Sequence, residues 1–138
     1  MNVRYVLRIR PKHKVFVNGE HERWDSTIDV LDAEAKPLSH YFFMTASMDN
    51  DIQSAAGSGA ATLEGIRQIE AGEVEKIEAD GNGWIAHIAR DKVWFEGLYS
   101  QGEGGEVSFA QYKLAVQTYV RFLADPEHKP IEVPFPQR

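Results

Sequence analysis

Catalysis needs side chains of the right type at the right spacing, and this chain offers histidines, serines and carboxylates to test. The five histidines are His13, His21, His40, His87 and His128. None has the i, i+4 partner that puts two imidazoles on one helix face, and cysteine is absent, so no metal ligands are assigned. His87 lies in the run Trp84-Ile-Ala-His-Ile-Ala, where alternation puts Ile85 and His87 on one strand face and Trp84, Ala86 and Ile88 on the other. A satisfied sheet histidine explains it. A nucleophilic serine would need a strained strand-to-helix elbow. The nearest string, Ala56-Gly57-Ser58-Gly59, has no preceding strand and is expected to be a turn. Gly102-Glu103-Gly104-Gly105 lacks the Lys-Ser/Thr of a phosphate loop, and Glu103 and Glu106 would repel an anion; a hairpin-to-helix connection is expected there. No catalytic, cofactor-binding or metal-binding residue is assigned.

The expected architecture is α+β: a twisted antiparallel sheet with a middle helix and a long C-terminal helix packed on one face, in one domain spanning 1–138. With 138 residues, 43% of them hydrophobic, the chain can bury roughly two-thirds of its unfolded surface. Tyr5, Leu7 and Ile9 alternate with Val6, Arg8 and Arg10 as in a half-buried strand, which Pro11 is expected to end. Val15 to Val17 lead to Asn18-Gly19, a two-residue hairpin signal, and further strands are expected around Thr27 to Leu31 and Leu38 to Ala46. Between Asp49 and Gly72 three readings stay open. A helix over Leu63 to Ala71 is capped by Thr62 and stopped by Gly72, or a helix starts near Asp51 and kinks at Gly57 and Gly59, or Gly-Ser-Gly is a linker. Val74 to Glu78, Trp84 to Ala89 and Val93 to Tyr99 read as a three-strand meander. Ser108 and Gln111 have the spacing of a capping box, and Phe109, Tyr112, Val116, Tyr119, Val120 and Leu123 line one face of the helix that Asp125-Pro126 closes. The tail from Lys129 is extended because its prolines forbid helix, with Ile131, Val133 and Phe135 along a sheet edge.

Charge is unevenly placed. The formal net charge is −6, yet residues 1–23 carry six basic groups against Glu20 and Glu22, leaving the body strongly acidic. Such a surface repels nucleic acid and anionic membranes and speeds encounter with basic partners. The carboxylates proposed for partner binding are Asp49, Asp51, Glu70, Glu73, Glu75, Glu78, Asp80, Glu103 and Glu106. Charges on a strand edge also guard against sheet extension, a role that needs no partner. No apolar run approaches the roughly 20 residues of a membrane helix. The N-terminus lacks a signal-peptide pattern, so a soluble, cytoplasmic chain is expected.

The strings Gly72-Glu-Val-Glu, Asp80-Gly-Asn-Gly-Trp84, Gly105-Glu-Val-Ser-Phe-Ala-Gln-Tyr-Lys and Thr118-Tyr-Val-Arg-Phe-Leu123 resemble those of small immunity proteins of bacterial polymorphic-toxin and contact-dependent growth inhibition systems. The resemblance covers about residues 60 to 125, and Tyr119 stands where that pattern has tryptophan. It implies a cytoplasmic, non-enzymatic antidote that binds one cognate toxin domain, with no catalytic residues to transfer. An acidic antidote suits a basic nuclease, and Trp24, Tyr41 or Tyr99, if exposed, would be candidate anchors. Two other readings stand beside it. A small enzyme or ligand-binding domain would need a cleft with convergent carboxylates or histidine. A homo-oligomeric scaffold would pair the Leu38 to Ala46 strand or the proline tail across subunits, and monomer or homodimer stays open.

Overall fold

The computed structural model describes residues 4–17 and 21–137 and is α+β, with two antiparallel sheets and three α-helices. The first sheet has the order β2-β1-β7, from β1 (Tyr5–Val17), β2 (His21–Leu31) and β7 (Ile131–Phe135). The alternation in β1 sends Leu7 and Ile9 into the core. Pro11 does not end the strand. The β1–β2 register shifts between Pro11 and His13, and β7 pairs only with Tyr5 to Ile9, so the proline sits where the ladder is irregular and one-sided. The Asn18-Gly19 turn lies outside the described residues. The proline tail does pair with a sheet edge, but within the chain, and it buries Phe135.

The single sheet expected from the sequence is thus replaced by two, and the segment Leu38 to Ala46 is not a strand. It forms a 3-10 turn (Ser39–Tyr41) running into α1 (Phe42–Asp51). Tyr41, Met44 and Met48 are buried with Ile52, a three-and-four spacing that only a helix turns toward one side. Ser54 then caps a π-helical turn (Ala55–Gly59) by accepting from Gly57 N–H at 3.0 Å, and α2 (Ala60–Glu70) continues from it. The glycines are there because space is missing: a Cβ on Gly59 would lie 2.6 Å from the Ser54 carbonyl oxygen and 2.8 Å from Val120. Thr62 is therefore inside the helical run, donating to Ser58 O at 2.8 Å, rather than capping it. Gly72, at φ 75°, stops the helix as expected, with its N–H on Ile69 O.

The second sheet is a meander in the order β3-β4-β5-β6: β3 (Lys76–Asp80), β4 (Trp84–Ala89), β5 (Val93–Gly97) and β6 (Glu103–Val107). The fourth strand was not expected, because its Gly-rich sequence reads as a loop. A Cβ on Gly105 would come within 2.7 Å of the Phe43 Cβ, so α1 lies too close to this strand for a side chain. The long helix α3 (Phe109–Ala124) opens with the expected capping box, Gln111 N–H on Ser108 Oγ and Ser108 N–H on Gln111 Oε1. Its residues Tyr112, Val116, Tyr119 and Phe122 join Leu7, Ile9 and Val30 of the first sheet and Trp84, Ile88 and Phe95 of the second in one contiguous core. No helix among the described residues is long and apolar enough to cross a membrane.

Two polar groups fix the ends of α3. Buried Gln111 uses its amide fully, because Nε2 also donates to Tyr41 Oη at 3.1 Å and Pro136 O at 2.8 Å. Gln111→Ala should cost about 3 kcal/mol in a denaturant melt, since it strands the buried Tyr41 hydroxyl and the part-buried Ser108 N–H and Pro136 carbonyl. At the other end Asp125 accepts from the N–H groups of Glu127 at 3.0 Å and Lys129 at 3.1 Å, turning the chain toward β7. The bond from Lys129 N–H, then that from Glu127 N–H, holds the Asp125 carboxyl below its ordinary value. A depressed carboxylate stabilises above its unfolded value, and this is lost as pH falls through the folded one. Asp125→Ala should therefore melt below the wild type at pH 7, and the gap should close as the pH is taken below the usual carboxylate range.

Candidate functional site

The nine carboxylates singled out in the sequence do not form one patch. Asp49 and Asp51 are structural. Ser26 Oγ donates to Asp49 Oδ1 at 3.0 Å, so the neighbouring Tyr119 hydroxyl, 3.0 Å away, donates to Ser26, and α1, β2 and α3 are joined there. Asp51 closes the turn between β3 and β4: its Oδ1 accepts from Asn82 N–H at 2.8 Å and Gly83 N–H at 3.0 Å, its Oδ2 from Trp84 N–H at 3.1 Å. Glu70 pairs with Lys113. Glu73 pairs with Arg67, whose guanidinium also donates to Glu64 and holds that carboxyl below its ordinary value. Glu75 is exposed ahead of β3, and Glu106 is exposed in β6 with its carbonyl on His40 Nε2.

The remaining three, Glu78, Asp80 and Glu103, share the outer face of the second sheet with residues the sequence reading did not assign to binding. Register places Glu78, His87 and Trp94 in one row across β3, β4 and β5. A second row runs Asp80, Ile85, Glu96, Glu103 across all four strands. The helices α1 and α2 lie against the other face, where Trp84, Ala86, Val93 and Phe95 are buried. On the outer face the His87 and Trp94 rings stack at 3.8 Å between centroids and 5° between planes. His87 Nε2 hydrogen-bonds Glu96 Oε1 at 3.0 Å, while Nδ1 faces Glu78 Oε1 at 3.8 Å. The histidine is thus the satisfied sheet residue expected, yet it also makes half of a face-to-face aromatic stack. A groove of about 280 Å³ runs beside the stack, toward Asp91 and Lys92.

Charge on this face is graded. Lys76 and Lys92 stand at one end; Asp80, Glu96 and Glu103 stand at the other, where the β5–β6 turn holds out Leu98 and Tyr99, the latter 79% exposed. Of the three anchors suggested by the sequence, Tyr41 is buried, Tyr99 is exposed, and the side chain of Trp24 lies outside the described residues.

The two sheets treat their outward charges in opposite ways. On the first, Arg8 stands opposite Asp29 on one side and Glu132 on the other, with an Arg8–Asp29 contact of 3.2 Å. On the second, Glu96 stands directly opposite Glu103. Like charges directly opposite weaken a sheet, and the contact Glu96 makes is with His87 on β4 and not with a basic residue on β6.

No group of three or more His, Asp or Glu side chains among the described residues is arranged to hold a metal ion. No protein-family model, curated protein or solved structure matches this chain.

Asp51 is the most consequential of the reassigned carboxylates. Asp51→Ala would leave three turn N–H groups without an acceptor and should cost about 3 kcal/mol. Gly81→Ala should act the same way from the other side, because its Cβ would fall 2.0 Å from the Asp51 carboxyl carbon. Urea melts of both variants, each well below wild type, are the check.

Proposed function

We propose that this chain is a non-enzymatic binding protein that engages a basic protein partner through the outer face of the second sheet. The observation that carries the reading is the in-register Glu96–Glu103 pair beside the His87–Trp94 stack. A local cost to folding is expected where a surface serves something other than folding. An aromatic anchor amid carboxylates has the composition of an interface centre, and the carboxylates suit a cationic partner by steering its approach. The partner class that fits, on the resemblance in residues 60 to 125, is the toxin domain of a bacterial polymorphic-toxin system, with this chain as its cytoplasmic antidote. Stoichiometric occlusion of the toxin requires no catalytic group here.

Two substitutions separate binding from folding. Glu103→Lys turns a repelling cross-strand pair into an attracting one, so the melting temperature should hold or rise while partner affinity falls. Trp94→Ala removes half of a partly exposed stack; it should cost about 1 to 2 kcal/mol in stability, leaving the chain folded, but weaken binding roughly tenfold or more. Both are read by co-expression with a candidate toxin domain, scoring growth rescue, and by co-purification. Rescue by wild type and loss of rescue by folded Glu103→Lys supports the proposal. Undiminished rescue by both folded variants would move the interface off this face.

A further inference from the structure

A cavity of about 270 Å³ lies on the opposite, inner side of the second sheet, between α2, the end of α1 and the β3–β4 pair. Ile52, Ile77, Ala86 and Ile88 make up much of its wall, Ser47, Ser58 and Thr62 border it, and the small residue Ala61 stands exposed among its lining. A wholly apolar cavity of roughly 150 Å³ can hold benzene, so by volume the space here suits a two-ring molecule.

Two of the polar groups that line it have hydrogen-bonding capacity to spare. Tyr112, on α3, is only 2% exposed as a residue, and its hydroxyl has no hydrogen-bond partner among the described residues. That oxygen is not one of the sealed-off polar atoms, so it is open to a small molecule. Burial, with the charge of Asp51 adding to it, holds this phenol well above its ordinary value, so it is a neutral donor at any working pH. Asp51 also lines the cavity. Its Oδ1 is occupied by two N–H groups and its Oδ2 by one, which leaves Oδ2 able to accept once more. One hydroxyl can meet both needs, accepting from Tyr112 and donating to Asp51. An anion fails beside Asp51 and Asp80, and a hydrocarbon leaves both groups unmet.

We infer that this cavity is a binding site for a neutral, largely apolar alcohol or phenol of about two rings, oriented by Tyr112 and Asp51. The cavity lies on the side of the sheet away from the His87–Trp94 stack, and Asp80, at the end of β3, borders both. Three probes of one shape test it on the ¹⁵N-labelled full chain by NMR: 5-indanol, indane and indane-5-carboxylate. 5-Indanol should shift the amides of Ala61, Gly65 and Ala79 saturably. Indane should bind about tenfold more weakly, and the carboxylate should not bind. Tyr112→Phe, which keeps the ring against Phe95, should reduce 5-indanol to the affinity of indane and leave indane unchanged. Ala61→Leu should abolish both while the spectrum stays dispersed. The inference is overturned if no probe binds saturably, the cavity then holding solvent only. It is also overturned if the shifts map elsewhere, if 5-indanol and indane bind equally, or if binding ignores both variants.

Discussion

One carboxylate closes the turn on which the second sheet is built. The three successive N–H groups of Asn82, Gly83 and Trp84 all point at Asp51, the last residue of α1, so the end of a helix holds the start of β4. The glycine at 81 is forced by that approach, and the neighbouring Gly83 carbonyl in turn receives Leu98 N–H and the Gln101 side chain. The β3–β4 turn and the β5–β6 turn are therefore held together at one end of the sheet. That end carries Asp80, Glu96, Glu103, Leu98 and Tyr99 on or beside the outer face, and the same carboxylate borders the inner cavity.

Gln111 does the corresponding work between the sheets. It starts α3, receives the end of the C-terminal strand through Pro136, and holds the Tyr41 hydroxyl, so a single amide joins the first sheet's last strand to the helices that pack on the second. Around it the apolar interior is continuous: Tyr41 packs edge-on against Phe135, and Phe95 meets Tyr112. With these positions fixed, the rows on the outer face of the second sheet are set by strand register.

Much of this was legible in the residues. The capping box at Ser108 and Gln111, the Gly72 stop, the β4 alternation and the extended proline tail each follow from a local rule that tertiary contacts did not override. Leu38 to Ala46 misled because aromatic side chains favour strands, while the competing signal, Tyr41, Met44, Met48 and Ile52 at helical spacing, extends past the segment being judged. β6 was hidden because glycine argues against a strand, and here glycine is required by α1. The division into two sheets follows from β7 returning to β1, a pairing between distant segments that no local pattern announces. The site was legible only in part, for the same reason. Of the nine carboxylates, Glu78, Asp80 and Glu103 lie on the candidate face, whereas Asp49 and Asp51 accept hydrogen bonds that join elements inside the protein. Glu96, His87 and Trp94 enter only when the register places them in rows.

The proposed partner surface is the outer face of the second sheet and not that of the first. The chain has no cysteine, so a single introduced thiol reports on its own surroundings. The direct measurement is the rate of thiol labelling in Glu78→Cys, on the second sheet, and Glu132→Cys, on the first, with and without saturating partner. Strong slowing at 78 with little change at 132 is the predicted result; slowing at 132 with 78 left reactive would contradict the account.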